Sequence, residues 1–430
     1  MTDRDLKVAY HTLGCKLNFS ETSAISRIME KAGYQNTRFD ENADIHIIHG
    51  CTVTEAADKK CRQLIKKTIR RSPGAFIIVA GCYAQLRHDE IAKIKGVDLV
   101  LGTNEKYDIL KYLRNIYKRP VPEIHNCGRD QQVSYHPSYS GQGRTRSFLK
   151  IQDGCDYSCS YCTIPMARGR SRNQPVEACL DDARKIAERG MKEIVLTGVN
   201  IGDFGKTTDE SFYDLLKELI KVEGIERYRI SSIEPNLISD NIIKLVAENN
   251  KILQHFHIPL QSGSDKILAK MRRRYTREIF ASRVNRIREL MPLAGIGADI
   301  ITGFPGETEE DFMDTYNFLC SLELSYLHVF SYSPRKGTAA ADMKGQADHK
   351  TKQRRSKKLQ ALSENKRMKF HRKCTGAEVD ILWESEDEPG KIAGFTGNYI
   401  RVYTDYDSTL KGKITRHILK ETDENGNFTV

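Results

Sequence analysis

The sequence lacks any run of about 18 apolar residues, which excludes a helix long enough to span a bilayer. It also opens, as Met1-Thr-Asp-Arg-Asp-Leu, without the apolar core of a secretory leader. These absences make the cytoplasm the expected location, with no membrane partner. Disulfides are scarce in that reducing compartment, so the 11 cysteines are expected to serve metal or redox chemistry. Acidic residues are also in deficit. Fifty-seven Asp and Glu face 68 Lys and Arg, a net charge of +11, which fits a polyanionic partner such as nucleic acid. With 430 residues the chain is long enough for two or three domains.

The densest chemistry lies in the stretch from Gly154 to Pro165, which sets Cys155, Cys159 and Cys162 in a CxxxCxxC arrangement. A disulfide uses two cysteines, and a structural zinc takes four ligands. No second CxxC or HxxxH pair lies nearby to complete a zinc knuckle, though a distant ligand remains the alternative. Three thiolates suit a four-iron cluster with one iron left open to a small molecule.

Upstream, strand and helix patterns alternate. Strands are expected at Lys7–Leu13, Asp44–His49, Phe76–Ala80 and Val97–Leu101. Helices are expected at Ser20–Lys31 (capped by Ser20 and stopped at Gly33), Glu55–Arg71, Tyr83–Lys95 and on to Tyr117. Alternation of this kind implies a parallel sheet with covering helices. Cys15, Cys51 and Cys82 each follow a strand, and each is preceded by glycine. The carboxyl ends of parallel strands share one edge, where ligands bind. Glycine lets backbone approach a bulky inorganic group. A second cluster with these three ligands is therefore expected. Cys61, Cys127, Cys179, Cys320 and Cys374 follow no such pattern and read as structural.

The Pro-, Gly- and Arg-rich stretch 121–146 reads as a linker between a first domain (1–120) and a core (147–343). The core shows six strand–helix periods, too few for an eightfold barrel, so an open partial barrel is expected. Distinctive residues fall at its strand ends: Thr197 and Gly198, Ser232 and Glu234, Gln261, Gly303 to Glu307, and Phe330 to Ser333. Their shared rim implies one ligand. Two basic segments, Arg168–Arg172 and Met271–Tyr275, read either as solvated surface or as phosphate contacts. Between Lys344 and Lys373 there are 12 Lys or Arg against 2 Asp or Glu, a basic helical connector (344–373). Residues 374–430 show five short strands, the pattern of a small barrel of a kind that often binds RNA.

The three-cysteine spacing resembles the radical S-adenosylmethionine enzymes. The order of parts over nearly all 430 residues resembles the methylthiotransferases among them, whose C-terminal barrel is a TRAM domain. The resemblance implies an α/β fold: a parallel-sheet N-terminal domain, an open (β/α)6 barrel and a small all-β barrel. It implies 4Fe–4S clusters at Cys155, Cys159 and Cys162 and at Cys15, Cys51 and Cys82. It also implies S-adenosylmethionine held by Thr197, Gly198, Ser232, Glu234, Gln261, Gly303 and Phe330. No side-chain general base is assigned. Thr12-Leu-Gly-Cys-Lys-Leu-Asn18 and Gly81-Cys-Tyr-Ala-Gln85 look like the branch acting on N6-threonylcarbamoyladenosine beside the tRNA anticodon. The isopentenyladenosine branch typically has Gln-Met-Asn after the first cysteine, and the ribosomal-protein branch Pro-Lys-Asn. Expected partners are tRNA, an electron donor of the flavodoxin or ferredoxin type, and a sulfur donor.

Overall fold

A computed structural model describes residues 6–39, 41–141, 144–423 and 426–430. The first domain runs β1 (Lys7–Thr12), α1 (Lys16–Lys31), β2 (Gln35–Thr37), β3 (Ile45–Gly50), α2 (Glu55–Arg71), β4 (Phe76–Gly81), α3 (Cys82–Ala92), β5 (Leu99–Leu101), α4 (Ile109–Tyr112) and β6 (Glu123–His125). Its six strands are parallel, in the order β2-β1-β3-β4-β5-β6. Every residue of β3 and β4 is buried, as strands covered on both faces require. Ile45 and Ile47 pack with Ile25 and Met29 of α1, and Ile48 packs with Cys61 and Ile65 of α2.

Sequence pattern and structure part company here in three places. Helix α1 begins at Lys16, with Cys15 as its N-cap, so Ser20 is interior and donates to Leu17 O at 2.8 Å. Gly14, at φ +109°, turns the chain between β1, which ends at Thr12, and α1, which starts at Lys16. The helix expected up to Tyr117 shrinks to a 3-10 turn (Glu105–Asp108) and the short α4. Strands β2 and β6 are three-residue edges of polar composition, which the alternation pattern does not reveal. Strand β6 falls in the stretch read as linker, where Gln132, Ser138, Tyr139 and Ser140 are also buried.

The core begins with β7 (Arg146–Lys150). A short hairpin arm, β8 (Gln152–Asp153) and β9 (Arg172–Asn173), then clasps the three-cysteine loop and α5 (Ile164–Arg168). There follow α6 (Val176–Ala187), β10 (Glu193–Thr197), α7 (Phe212–Leu219), β11 (Arg227–Ile230), α8 (Asp240–Glu248), β12 (His255–His257), α9 (Asp265–Lys270), α10 (Arg277–Leu290), β13 (Gly295–Thr302), α11 (Glu309–Ser321) and β14 (Tyr326–Ser331). Strands β11-β10-β7 and β12-β13-β14 form two parallel sheets, joined by bridges Tyr228↔Ile252 and Ser232↔His257. The result is a six-stranded partial barrel. Among the described residues β7 and β14 do not pair, and α1 of the first domain packs on β7.

After α12 (Ala339–Asp342), the basic connector is one helix, α13 (His349–Cys374), capped by Asp348. It is more than a solvated strut. Leu359 enters the barrel's apolar core, and the buried Lys366 donates to Leu322 O at 2.8 Å. Strands β15 (Glu378–Glu388), β16 (Lys391–Thr396), β17 (Arg401–Asp405), β18 (Ile414–Ile418), β19 (Glu421–Thr422) and β20 (Phe428–Thr429) make a curled sheet in the order β18-β15-β16-β17-β20-β19. Register shifts after Trp383 bend β15 so that the sheet closes over Trp383, Ile381, Val402 and Phe428. This small barrel plugs the base of the large one. Arg229 donates to Thr396 O (3.1 Å) and Gly397 O (3.0 Å), and Arg146 pairs with Glu384 (2.8 Å). Among the described residues no helix is long and apolar enough to cross a membrane.

Leu359 is fully buried where α13 meets the barrel. Leu359→Ala is expected to cost about 2–5 kcal/mol, read as a lowered midpoint of the core's unfolding transition by calorimetry.

Candidate active site

The order β2-β1-β3 places the sheet's topological switch between β1 and β3, where open α/β sheets bind ligands. Cys15 and Cys51 follow those two strands, and Cys82 follows β4 beside them. Glycine is required at two points. A Cβ on Gly14 would lie 2.5 Å from Cys51 Cβ, and one on Gly81 (φ +93°) would overlap the His49 ring at 2.3 Å. Asn18 ties the loops together. Its Nδ2 donates to Leu13 O (2.9 Å) and Gly50 O (3.5 Å), and its Oδ1 lies 3.7 Å from Cys15 Sγ.

The second trio sits at the barrel mouth. Gly154, at φ +68°, would clash with Arg170 O at 1.9 Å if it carried a Cβ. Backbone N–H groups of Tyr157 and Ile164 point at Cys155 Sγ (3.4 Å) and Cys162 Sγ (3.5 Å). Arg273 donates to Cys159 Sγ at 3.0 Å and also pairs with Glu234. Arg274 stacks on Tyr157, 4.1 Å from the ring centre, and donates to Asp156 O.

Both trios fit a cluster better than a single ion. A tetrahedral zinc with sulfurs at about 2.3 Å holds them about 3.8 Å apart. Among the described residues the only three ligand groups converging within 4.8 Å are His257, Asp299 and His328, so neither cysteine trio is that tight. The electrostatics agree. Burial pushes Cys51, Cys155 and Cys162 up to about 12, with neighbouring cysteines adding to the rise. Buried thiols of this kind become ligands when a metal's own charge stabilises the thiolate.

A buried ion network joins the two trios. Glu21 of α1 accepts from Lys106 (2.6 Å), Lys150 (3.2 Å) and Arg168 (2.9 Å). Arg168 lies just beyond Cys162 on α5. It also donates to Asn18 Oδ1 (2.9 Å) and Asp153 (3.0 Å). A second link crosses the domains at Arg335, which reaches Asp58 (2.6 Å) and Thr52 (2.7 Å).

These contacts correct one expectation. The basic segments are not simply surface: Arg168 is buried, Arg172 pairs with Asp153 (3.1 Å), and Arg273 is only 4% exposed. Of these segments' six arginines, Arg170, Arg272 and Arg274 are exposed and fit the solvated reading. The pattern also missed Asn18, Glu21, Arg168, Arg273 and Gln152 as site-building groups. A carboxylate at Glu21 on the apolar face of α1 was the available signal.

Thr197, Gly198, Ser232, Glu234, Gln261 and Gly303 lie at or just beyond the carboxyl ends of β10 to β13, and Phe330 lies near the end of β14. Gln152 Oε1 accepts from Val199 N (3.0 Å) and Asn200 N (2.9 Å), which fixes the turn after Thr197 and Gly198. Ser232 bridges to His257, and Gln261 to Ile300; Gln261 adopts φ +67°. Gly303 (φ +72°) donates to Glu307 at 2.7 Å, and Glu307 is held by Arg355. Phe330 presents a ring 47% exposed.

Fold, open barrel and cysteine trios together define a radical S-adenosylmethionine enzyme. Residues 149–319 match the Radical SAM superfamily, and residues 7–102 match the uncharacterized protein family UPF0004. The chain is 41% identical to the threonylcarbamoyladenosine tRNA methylthiotransferase MtaB of Bacillus subtilis, over 95% of this chain and 92% of that one. It is 39% identical to the Aquifex aeolicus protein of the same name (92% and 96% covered). It is 33% identical to a tRNA-2-methylthio-N(6)-dimethylallyladenosine synthase of Syntrophus aciditrophicus (93% and 86% covered). The radical S-adenosylmethionine methyltransferase TsrM of Kitasatospora setae, solved with cobalamin and a [4Fe-4S] cluster, shares the fold at TM-score 0.57 and 13% identity, covering 91% of this chain and 80% of that one. The chain belongs to the radical S-adenosylmethionine methylthiotransferase family, in its MtaB branch, whose cofactors are S-adenosylmethionine and 4Fe–4S clusters.

Burial alone raises the Glu21 carboxyl, but Arg168, Lys106 and Lys150 hold it well below its usual 4.5. A carboxylate depressed on folding stabilises at pH above its unfolded value, and that contribution is lost as pH falls through the folded one. Glu21→Gln is therefore expected to cost about 3–5 kcal/mol at pH 7. Its penalty should shrink as the pH is lowered below 4.5 in denaturant titrations.

Proposed function

We propose that this enzyme methylthiolates C2 of N6-threonylcarbamoyladenosine beside the tRNA anticodon, consuming two equivalents of S-adenosylmethionine. The observation that carries this reading is the 41% identity, over 95% of the chain, to a relative named for that substrate. Relatives named for the dimethylallyl substrate are 33–34% identical. Lys16-Leu-Asn18 after the first cysteine points the same way.

Cys155, Cys159 and Cys162 would hold one cluster, and Cys15, Cys51 and Cys82 the other. When bound, the first supplies the electron that cleaves S-adenosylmethionine to methionine and a 5′-deoxyadenosyl radical, and the second supplies the sulfur that is transferred. The protein's part is to bind, orient and exclude water. Thr197 and Gly198 would offer backbone to the methionine portion, Ser232 and Glu234 would serve the ribose, and Gly303, Gln261 and Phe330 would take the adenine. Arg273 keeps a positive charge at Cys159 and positions Glu234. For RNA, a groove of about 620 Å³ between α2 and α3, lined by Arg62, Lys66, Arg70, Lys93 and Lys95 beside a single acidic residue, Glu90, would suit phosphates. The C-terminal barrel supplies a further RNA surface. A flavodoxin- or ferredoxin-type reductant and a sulfur donor complete the partners.

Mass spectrometry of tRNA nucleosides from cells with and without the gene tests the substrate. The methylthio derivative of threonylcarbamoyladenosine should vanish in the deletion and return with the plasmid-borne gene. Its persistence, with no second enzyme present, rejects the reading. Anaerobically reconstituted protein should carry about eight irons. Replacing Cys155, Cys159 and Cys162 with Ala should halve the iron and abolish 5′-deoxyadenosine formation. The same change at Cys15, Cys51 and Cys82 should halve the iron and spare some cleavage.

A further inference from the structure

Three side chains on the barrel wall have no part in the scheme above. His257 ends β12, Asp299 lies in β13 and His328 in β14. Side chains alternate across a strand. Phe256 and Ile258, Ala298 and Ile300, and Leu327 and Val329 pack into the apolar layer under the helices. The residues between them therefore face the inside of the barrel. Strand register brings the three to one level. Asp299 is directly opposite His328, and His257 is opposite Gly297, two residues before Asp299 on the same face. Gly297 adds no side chain, and a Cβ there would strike the Tyr326 ring at 2.2 Å. That ring bounds the cluster on the side of the barrel's base. Its hydroxyl lies 2.8 Å from His255 Nε2, and it stands 5.1 Å from the His328 ring.

Asp299 Oδ1 lies 2.8 Å from His257 Nε2 and 3.3 Å from His328 Nδ1, and all three atoms fall within 4.8 Å of one another. An ion held by nitrogen and oxygen at about 2.0–2.2 Å sets neighbouring ligand atoms about 2.8–3.6 Å apart, from right-angled to tetrahedral geometry. Both contacts to Asp299 have that spacing. Two imidazoles converge on Oδ1, while among the described residues no donor reaches Oδ2. Hydrogen bonding alone gives no reason to crowd one oxygen. An ion shared by the three groups does.

The donor set also chooses the ion. Two imidazoles with one carboxylate suit a divalent first-row transition metal, whereas magnesium and calcium are held by oxygens. The His257 and Asp299 side chains are 17% and 20% exposed and that of His328 is 51% exposed, so the strands wall the cluster yet leave one side open. We infer that His257, Asp299 and His328 form a site for one divalent transition-metal ion of the zinc class, separate from both cysteine trios. Three protein ligands leave at least one coordination position. It faces the barrel interior and takes an oxygen ligand, either water or an oxygen of what enters. The inference stands apart from the choice of substrate and from the chemistry at the clusters.

The test uses anaerobically reconstituted enzyme carrying both clusters, passed over a chelating resin, equilibrated with zinc and desalted. Plasma mass spectrometry counts zinc and iron in wild type, His328→Ala and Asp299→Ala. Wild type should keep about one zinc per chain. Each variant should bind it at least about tenfold more weakly, since loss of even an outer partner of a metal ligand costs that much. Iron content and thermal midpoint should not change, above all in His328→Ala, where the side chain removed is half exposed. X-ray absorption at the zinc edge of the wild type should show a nitrogen and oxygen shell at about 2.0–2.2 Å. A sulfur shell at about 2.3 Å overturns the proposal, because the zinc then sits at cysteines. So does a wild type that retains no more zinc than the two variants, since hydrogen bonding is then all that joins these side chains.

Discussion

The buried carboxylate of Glu21 is the constraint on which the relation between the two cysteine sites depends. Four segments meet at it: α1, the turn carrying Lys106, strand β7 through Lys150, and α5 through Arg168. Two of these belong to the first domain and two to the barrel. Each ion was stripped of water on folding, so none tolerates loss of its partners. That makes the joint between domains unforgiving. Arg168 stands six residues after Cys162 in the chain, yet its guanidinium touches Asn18, which holds the loops bearing Cys15 and Cys51. A shift of one domain against the other would break charge pairs in a dry interior before it moved a sulfur.

A rigid joint suits chemistry divided between two centres. In the proposed mechanism a radical formed at one would have to meet a sulfur at the other, and small misplacements are costly in rate. The fold meets this need in layers. The small barrel pins the base through Arg146 and Arg229, Arg335 links the loop after β14 to α2, and α13 locks the far wall through Arg355 and Leu359.

Much of this was legible in the sequence, for identifiable reasons. Strand–helix alternation and Gly-Cys pairs after successive strands put Cys15, Cys51 and Cys82 at one sheet edge, and the CxxxCxxC spacing put Cys155, Cys159 and Cys162 in one loop, because those features are local. The six-period core and its strand-end residues were readable for the same reason. What the pattern hid was set by distant partners. Arg168 and Arg273 look like surface arginines until Glu21 and Glu234, far away in sequence, are brought beside them. Ser20 looks like a helix cap because Ser usually is one, yet Gly14's positive φ starts the helix earlier. The edge strands β2 and β6 carry no apolar signature because only one neighbour holds them.

Polar residues inside strands were the signal most easily passed over. His257, Asp299 and His328 each sit in a segment that otherwise reads as barrel wall, where an apolar residue would be cheaper to bury. Their cost is offset only in part by hydrogen bonds among themselves, and the half-exposed His328 shows that the cluster is not closed. A fold seeking stability alone would have filled this level with aliphatic side chains, as the layer formed by Ile296, Ala298 and Ile300 on the opposite face of β13 is filled. Polarity on the inner face and apolarity on the outer face of one strand separate the two demands. The outer face holds the barrel together, and the inner face carries the polar cluster.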